Sequence, residues 1–99
     1  MSVRRKNELN LKEAIDLFIN AYGLSPRLKE IRAITEWEKV VGENIAKLTA
    51  DVHIKNHILF VKCKSAALRQ ELFYHKHEII EKLNTIAEEK IINDMVIND

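Results

Sequence analysis

Apolar positions along the chain follow two repeats, one of 3.6 residues and one of two, and the change between them near residue 49 divides the protein. In the first stretch Leu11, Ile15, Phe18, Ile19 and Tyr22 recur at helical spacing. Asn10 stands where an N-cap belongs, and Gly23 where a helix ends in a left-handed residue. A second helix is expected to start with Ser25 as N-cap and Pro26 at its first position. Its stripe continues through Trp37, Val40, Val41, Ile45 and Leu48, with Thr35 and Glu38 spaced as a capping box before the tryptophan. The pattern predicts a bent or two-piece helix over residues 26–48. Gly42 falls inside it, although glycine costs a helix interior about 1 kcal/mol relative to alanine. On a helical wheel Gly42 lies beside Ala46 on one flank of the stripe. Two small residues there favour close packing against a neighbouring helix, over close approach by a ligand.

The stretch "TADVHIKNHILFVKCKS" has a period of two. With Asn56-His57 as a two-residue turn, Ile54 pairs with Leu59, Val52 with Val61 and Ala50 with Cys63, all apolar and all on one face. The other face holds Lys55 with Ile58, His53 with Phe60, Asp51 with Lys62 and Thr49 with Lys64. Ser65 then caps a helical stretch with Leu68, Leu72, Ile79, Leu83 and Ile86 on its buried side, continuous or bent near residues 74–77. "IINDMVIND" closes the chain as a third strand, Met95 and Ile97 inward and Val96 outward. The order helix, helix, strand, strand, helix, strand predicts an α+β two-layer sandwich, with helices on one face of a small three-stranded sheet.

Ninety-nine residues, 46% of them hydrophobic and 31% charged, fit one soluble globular domain with a modest core. Residues 1–8 are expected as a basic, flexible arm and residues 9–99 as the domain. No apolar run reaches the roughly 18 residues of a membrane span, and the basic start leads into no signal-peptide core. With a single cysteine, Cys63, no internal disulfide forms. A cytoplasmic protein of a bacterium or archaeon is expected. Charge is uneven. Residues 1–64 carry 12 Lys/Arg against 8 Asp/Glu, and residues 65–99 carry 4 against 7, which together give the net +1. A polyanion would meet the first two-thirds of the chain, with modest and salt-sensitive affinity.

The candidate chemistry is that of binding. His75 and His77 project about 200° apart on a helix, so they share no ion, and neither cysteine nor carboxylates complete a metal site around the four histidines. Cys63 faces inward and has no spaced base or oxyanion donor. No metal, no cofactor, no small-molecule substrate and no enzymatic activity are expected. The outer hairpin face is the best binding candidate: Phe60 is placed to stack on a base, with Lys55, Lys62 and Lys64 near phosphates. Arg4, Arg5 and Lys6 add a basic arm, and Arg69 and Lys76 extend the track along the third helix. Lysines on an exposed strand also protect a sheet edge from aggregation, which is the plainer explanation of that face.

Two blocks of residues carry a resemblance. The first is Trp37-x-x-Val40-Val41-Gly42-x-x-Ile45-Ala46-x-x-Thr49, leading into the hairpin. The second is Leu59-x-Val61-x-Cys63-x-Ser65-Ala66-x-Leu68-x-x-Glu71-Leu72. Together they resemble the DciA-like family, associated with loading of the bacterial replicative helicase, over most of residues 9–97. The resemblance implies a KH-like α+β domain that binds DNA, with some preference for single strands or fork-like ends, and assists the replicative helicase; the residues show no base-reading set, so little sequence specificity is expected. It makes Trp37, Val41, Gly42, Ala46, Thr49, Ser65 and Leu72 family positions with structural roles. The segment Gly42-Glu43-Asn44-Ile45 lacks the second glycine of a GxxG clamp, so phosphate clamping of that kind is not expected. Longer members carry a flexible C-terminal extension, so helicase contact through such a tail is not expected here. Two alternatives stand beside this reading: a protein-interaction module using Ile58 and Phe60, and an RNA-binding KH-like protein.

Overall fold

The structure, a computed structural model, describes residues 2–98, with side chains described from residue 10 onward. Strands β1 (Thr49–Lys55) and β2 (Ile58–Cys63) form the expected hairpin. Asn56 and His57 both take positive φ, 53° and 63°, which is the type I′ pattern whose twist matches the flanking strands. The register runs Lys55↔Ile58, Ile54↔Leu59, His53↔Phe60, Val52↔Val61 and Asp51↔Lys62, as the alternation predicts. A bulge then inserts Ala50, so Cys63 pairs with Thr49 and not with Ala50. One extra residue reverses the alternation beyond it. Thr49 therefore turns toward the helices, where its hydroxyl meets the Trp37 indole, and does not share the outer face with Lys64.

Strand β3 (Asp94–Asn98) lies parallel to β2 on its other side, giving the order β1-β2-β3. Met95 is buried, Ile97 half-buried and Val96 exposed, matching the predicted alternation. The crossover is made by two helices, α5 (Ala66–Tyr74) and α6 (Lys76–Ala87), separated at His75. Ser65 caps α5 by accepting the Leu68 N–H at 3.1 Å. Leu68, Leu72, Ile79, Leu83 and Ala87 from these helices pack with Leu59, Val61, Cys63, Ile54 and Met95 from the sheet. Full burial of the leucine, isoleucine, valine and methionine side chains among them contributes about 1.5–3 kcal/mol each. Ile91 and Ile92 close the core from the loop before β3.

The first half of the chain departs more from expectation. Helix α1 (Ser2–Ala21) starts well before Asn10, so Asn10 is interior and no N-cap. The backbone expected as a flexible arm is part of this helix, since no glycine or proline interrupts residues 2–9 and Arg, Lys, Glu and Leu all favour it. Its end is as predicted. Gly23 has φ +65°, the Leu24 N–H bonds the Ile19 carbonyl at 2.8 Å, and the Gly23 N–H bonds Asn20 at 3.2 Å, the bond pair of a Schellman end. Helix α2 (Ser25–Thr35) begins at once, its N-cap being Leu24 in helical geometry and not Ser25. The Ser25 hydroxyl turns to Asn20 Oδ1 at 3.3 Å instead. Thr35 forms no capping box with Glu38. Its hydroxyl bonds back to the Ile31 carbonyl at 2.8 Å.

The bent or two-piece helix expected over residues 26–48 is three pieces: α2, α3 (Trp37–Val41) and α4 (Glu43–Lys47). Gly42 joins the last two with φ 94° and ψ 160°, a region essentially restricted to glycine. It therefore breaks the helix, and a Cβ added there would meet nothing within 4 Å. Conformation, not close packing beside Ala46, is what the position demands.

The helices α2–α6 form one layer over the sheet, and α1 stands apart from it. Of the expected stripe, Leu11, Ile15, Phe18 and Tyr22 are 63%, 50%, 56% and 70% exposed, and Ile19 is half-buried. The molecule is accordingly long, 59 × 25 × 19 Å, with a radius of gyration of 17.4 Å. A compact chain of this length has about 13 Å. No helix among the described residues is long and apolar enough to cross a membrane.

Candidate nucleic-acid interface

Because side chains alternate along each strand, the face of the sheet turned away from the helices is a grid of three rows. Register places His53, Phe60 and Val96 in the middle row. Lys55, Ile58 and Asp94 form the row beside the hairpin turn, and Asp51, Lys62 and Asn98 the row at the far end. The rings of His53 and Phe60 stack with centroids 5.0 Å apart and planes inclined by 13°. Phe60 and Ile58 are half-buried and Val96 is 38% exposed, so a shallow aromatic and aliphatic strip crosses the sheet. Lys55 and Lys62 stand exposed in the outer rows. Those rows are four residues apart along β2, about 13 Å at the rise of a strand.

The charge of this face is balanced. Lys55 and Lys62 are matched by Asp51 and by Asp94, which the third strand brings into the grid. Both carboxylates are engaged. Asp51 meets His53 Nδ1 at 2.9 Å, and Asp94 takes Lys76 Nζ at 2.7 Å and the Met95 N–H at 2.8 Å. The Lys76 ammonium, and after it the Met95 N–H, hold the Asp94 carboxyl below the usual carboxylate range.

The other residues singled out in the sequence are dispersed. Lys64 lies just past β2, and its ammonium donates to the Lys47 carbonyl at 3.1 Å, at the end of α4. Arg69 sits on α5 in the helical layer. With Gln70, Phe73 and Lys76 it lines a cavity of about 380 Å³ over Met95 and Ile97, separate from the hairpin residues. Lys76 also lies 5.8 Å over the Phe73 ring. The side chains of Arg4, Arg5 and Lys6 lie outside the described residues. Of the candidate nucleic-acid residues, the sheet face itself gathers Lys55, Phe60 and Lys62.

The motif residues of the first half assemble behind the hairpin. Trp37 opens α3 and is buried, its indole N–H directed at Thr49 Oγ1 at 3.4 Å. The Thr49 hydroxyl in turn donates to the Ile45 carbonyl at 2.9 Å. Gly42 separates the two short helices, its own carbonyl accepting the Ala46 N–H at 3.0 Å. Val41 and Ala46 pack half-buried against the core, and Leu72 is buried within it. These positions hold β1 in register with the helical layer. Their spacing alone marks a helix, and only the bulge at Ala50 reveals that Thr49 belongs with them.

Two polar arrangements had no signal in the spacing. Asn84 on α6 accepts the N–H groups of Ile91 and Ile92, at 3.0 and 2.9 Å, and donates to the Ile92 carbonyl at 3.0 Å. It thereby holds the loop that leads into β3. His75, at the break between α5 and α6, contacts Glu71 through Nε2 and Glu78 through Nδ1, both at 3.3 Å. Lys82 and then His75 draw the Glu78 carboxyl below its ordinary value. Among the described residues no three His, Cys, Asp or Glu side chains gather as metal ligands.

Residues 10–97 match the family model described as Dna[CI] antecedent, DciA. None of the curated proteins matches the chain.

Proposed function

The chain belongs to the DciA family, associated with helicase loading in DNA replication, and from that premise we propose that it is a non-enzymatic accessory protein that holds single-stranded or fork-like DNA on the outer face of its sheet. The observation that carries this reading is the stacked His53–Phe60 pair at the centre of an uncovered sheet, with Lys55 and Lys62 on opposite sides of it. A stacked pair offers a planar surface to a further ring, and base stacking on an aromatic side chain contributes about 1–3 kcal/mol without regard to sequence. The two lysines supply backbone contacts. Among the described residues the other polar side chains of the face are Asn98 at its far end and Asp51 and Asp94, whose carboxylates are already engaged, so low sequence specificity is expected. On the same premise we infer a cytoplasmic location and contact with the replicative helicase, and the order of helices and strands supports a KH-like reading of the domain.

The test is fluorescence anisotropy of labelled single-stranded DNA, beside RNA of the same sequence, across a salt series. Binding that prefers DNA and weakens with salt is expected. In the double variant Lys55→Ala/Lys62→Ala the slope of log affinity against log salt should fall by about 0.7 for each lysine that meets a phosphate. An unchanged slope removes both lysines from the site. The balanced charge of the face supports a second reading, a protein-docking surface centred on Ile58 and Phe60. Absence of binding even at low salt would favour it.

A further inference from the structure

The two rings at the centre of the sheet face are not equivalent. His53 and Phe60 sit on neighbouring strands, with centroids 5.0 Å apart and planes inclined by 13°. Rings that close and nearly parallel stand face to face, stacked across the ladder and not lying flat on it. Register puts Val96 on the far side of Phe60, one strand spacing of about 4.8 Å away. Phe60 thus has His53 against one face and Val96 beside the other, and it is half-buried. The second face of His53 turns toward the outer edge of β1, where no strand lies among the described residues. The His53 side chain is 53% exposed, so its ring offers the open face of this row.

The same imidazole has a fixed orientation. Its Nδ1 lies 2.9 Å from Asp51 Oδ2, and since a carboxylate only accepts, Nδ1 carries the proton and Nε2 is the nitrogen left to titrate. In the neutral ring the Nε2 lone pair repels a phosphate oxygen; once protonated, Nε2 donates to it. Asp51 and Lys55 flank His53 on β1, and Lys62 stands across from Asp51 on β2. On β3 the charged group is Asp94, which Lys76 of α6 holds at 2.7 Å. On the face itself Lys55 and Lys62 balance Asp51 and Asp94, so one proton on His53 turns a neutral face into one of charge +1. Histidine is the side chain that changes charge between about pH 5 and 8. Of the others, His57 holds the Ile91 carbonyl at 3.0 Å, while His75 and His77 belong to the helical layer.

We propose that a nucleobase stacks on the exposed face of His53, with Phe60 as the backing ring, and that protonation of this imidazole tightens the grip on DNA. The inference rests on the reading of the sheet face as a DNA-binding surface. It makes His53 the contact and Phe60 its support, and it couples affinity to pH through the Asp51–His53 pair.

Anisotropy with a short labelled oligothymidine, whose bases do not titrate in this range, tests it at about pH 5.5 and about pH 8. Wild-type binding is expected to be about tenfold tighter at the lower pH, with a salt slope steeper by about 0.7 for one further phosphate contact. His53→Phe, which keeps a ring and loses the proton, is expected to abolish the difference between the two pH values. His77→Gln, on α6, is expected to leave that difference intact. His53→Ala is expected to cost about tenfold at the higher pH, and Phe60→Leu, which keeps an apolar backing, less than that. Equal wild-type affinity at the two pH values overturns the inference alone, as does a pH dependence that survives His53→Phe. A larger loss in Phe60→Leu than in His53→Ala returns the base to Phe60 and overturns it too. No binding at either pH overturns the DNA-binding reading and this inference with it.

Discussion

At Gly42 the backbone stands at φ 94° and ψ 160°, and this single residue separates two helices that the apolar periodicity joins. Val40, Val41 and Ile45 keep helical spacing across the break because α3 and α4 present the same side to the core, so the pattern shows no interruption. Glycine was the only signal, and its sterics admit two explanations, close packing or an unusual conformation. Geometry decides for the second, since the space where a Cβ would stand is open. Gly42→Ala is therefore expected to destabilise the fold by about 1–3 kcal/mol through backbone strain alone. The urea midpoint measures this, and an unchanged midpoint would mean the break tolerates an ordinary residue. Trp37 was legible as core because a large indole has much to gain from burial. Thr49 was not, because a one-residue bulge decides which way it points.

Legibility at the level of elements follows the same division between pattern and irregularity. The hairpin could be placed residue by residue because alternation fixes register and Asn56-His57 fixes the turn. The orientation of β3 followed from Met95, Val96 and Ile97 in the same way. What the pattern leaves out is how β3 is reached. The loop after α6 has no period, and Asn84, which holds it, reads in sequence as an ordinary polar residue of an exposed helix face. Its three hydrogen bonds to Ile91 and Ile92 satisfy backbone groups beside a buried segment. Asn84→Leu is expected to lower stability by about 1–3 kcal/mol and to speed amide exchange first in Met95–Ile97. Asn84→Asp keeps the acceptor for both N–H groups and should lose less. Equal exchange throughout β3 in wild type and Asn84→Leu would detach the clamp from the strand. Helix α1 is the converse case: its stripe was legible, but nothing in the spacing of one helix says which surface covers it.

For the whole molecule, charge was legible as a total and misleading as a map. Counting along the chain puts the positive excess in the first 64 residues, yet folding returns Asp94 to the basic hairpin and ties Lys76 to it. That pair bridges the two layers, α6 to β3, whereas Lys29 and Glu89, 2.7 Å apart, join α2 to the residues just after α6. Asp94 and Glu78 both have folded-state carboxyl values below their ordinary ones, Asp94 through Lys76 and Met95, Glu78 through Lys82 and His75. A carboxyl depressed in the folded state binds its proton more weakly there than in the unfolded chain. Its contribution is complete above the ordinary carboxylate range and is lost as pH falls through the folded-state value. Stability is therefore expected to hold from neutrality to about pH 5 and to decline below it. Both groups are exposed, which keeps each effect small. Asp94→Asn retains an acceptor for the Met95 N–H but removes the titrating charge, so its urea midpoint should start lower at neutral pH and fall less on acidification than the wild-type midpoint. Parallel curves for the two proteins would show that the seam between layers rests on burial of Met95, Ile91 and Ile92, with the ion pair contributing nothing measurable.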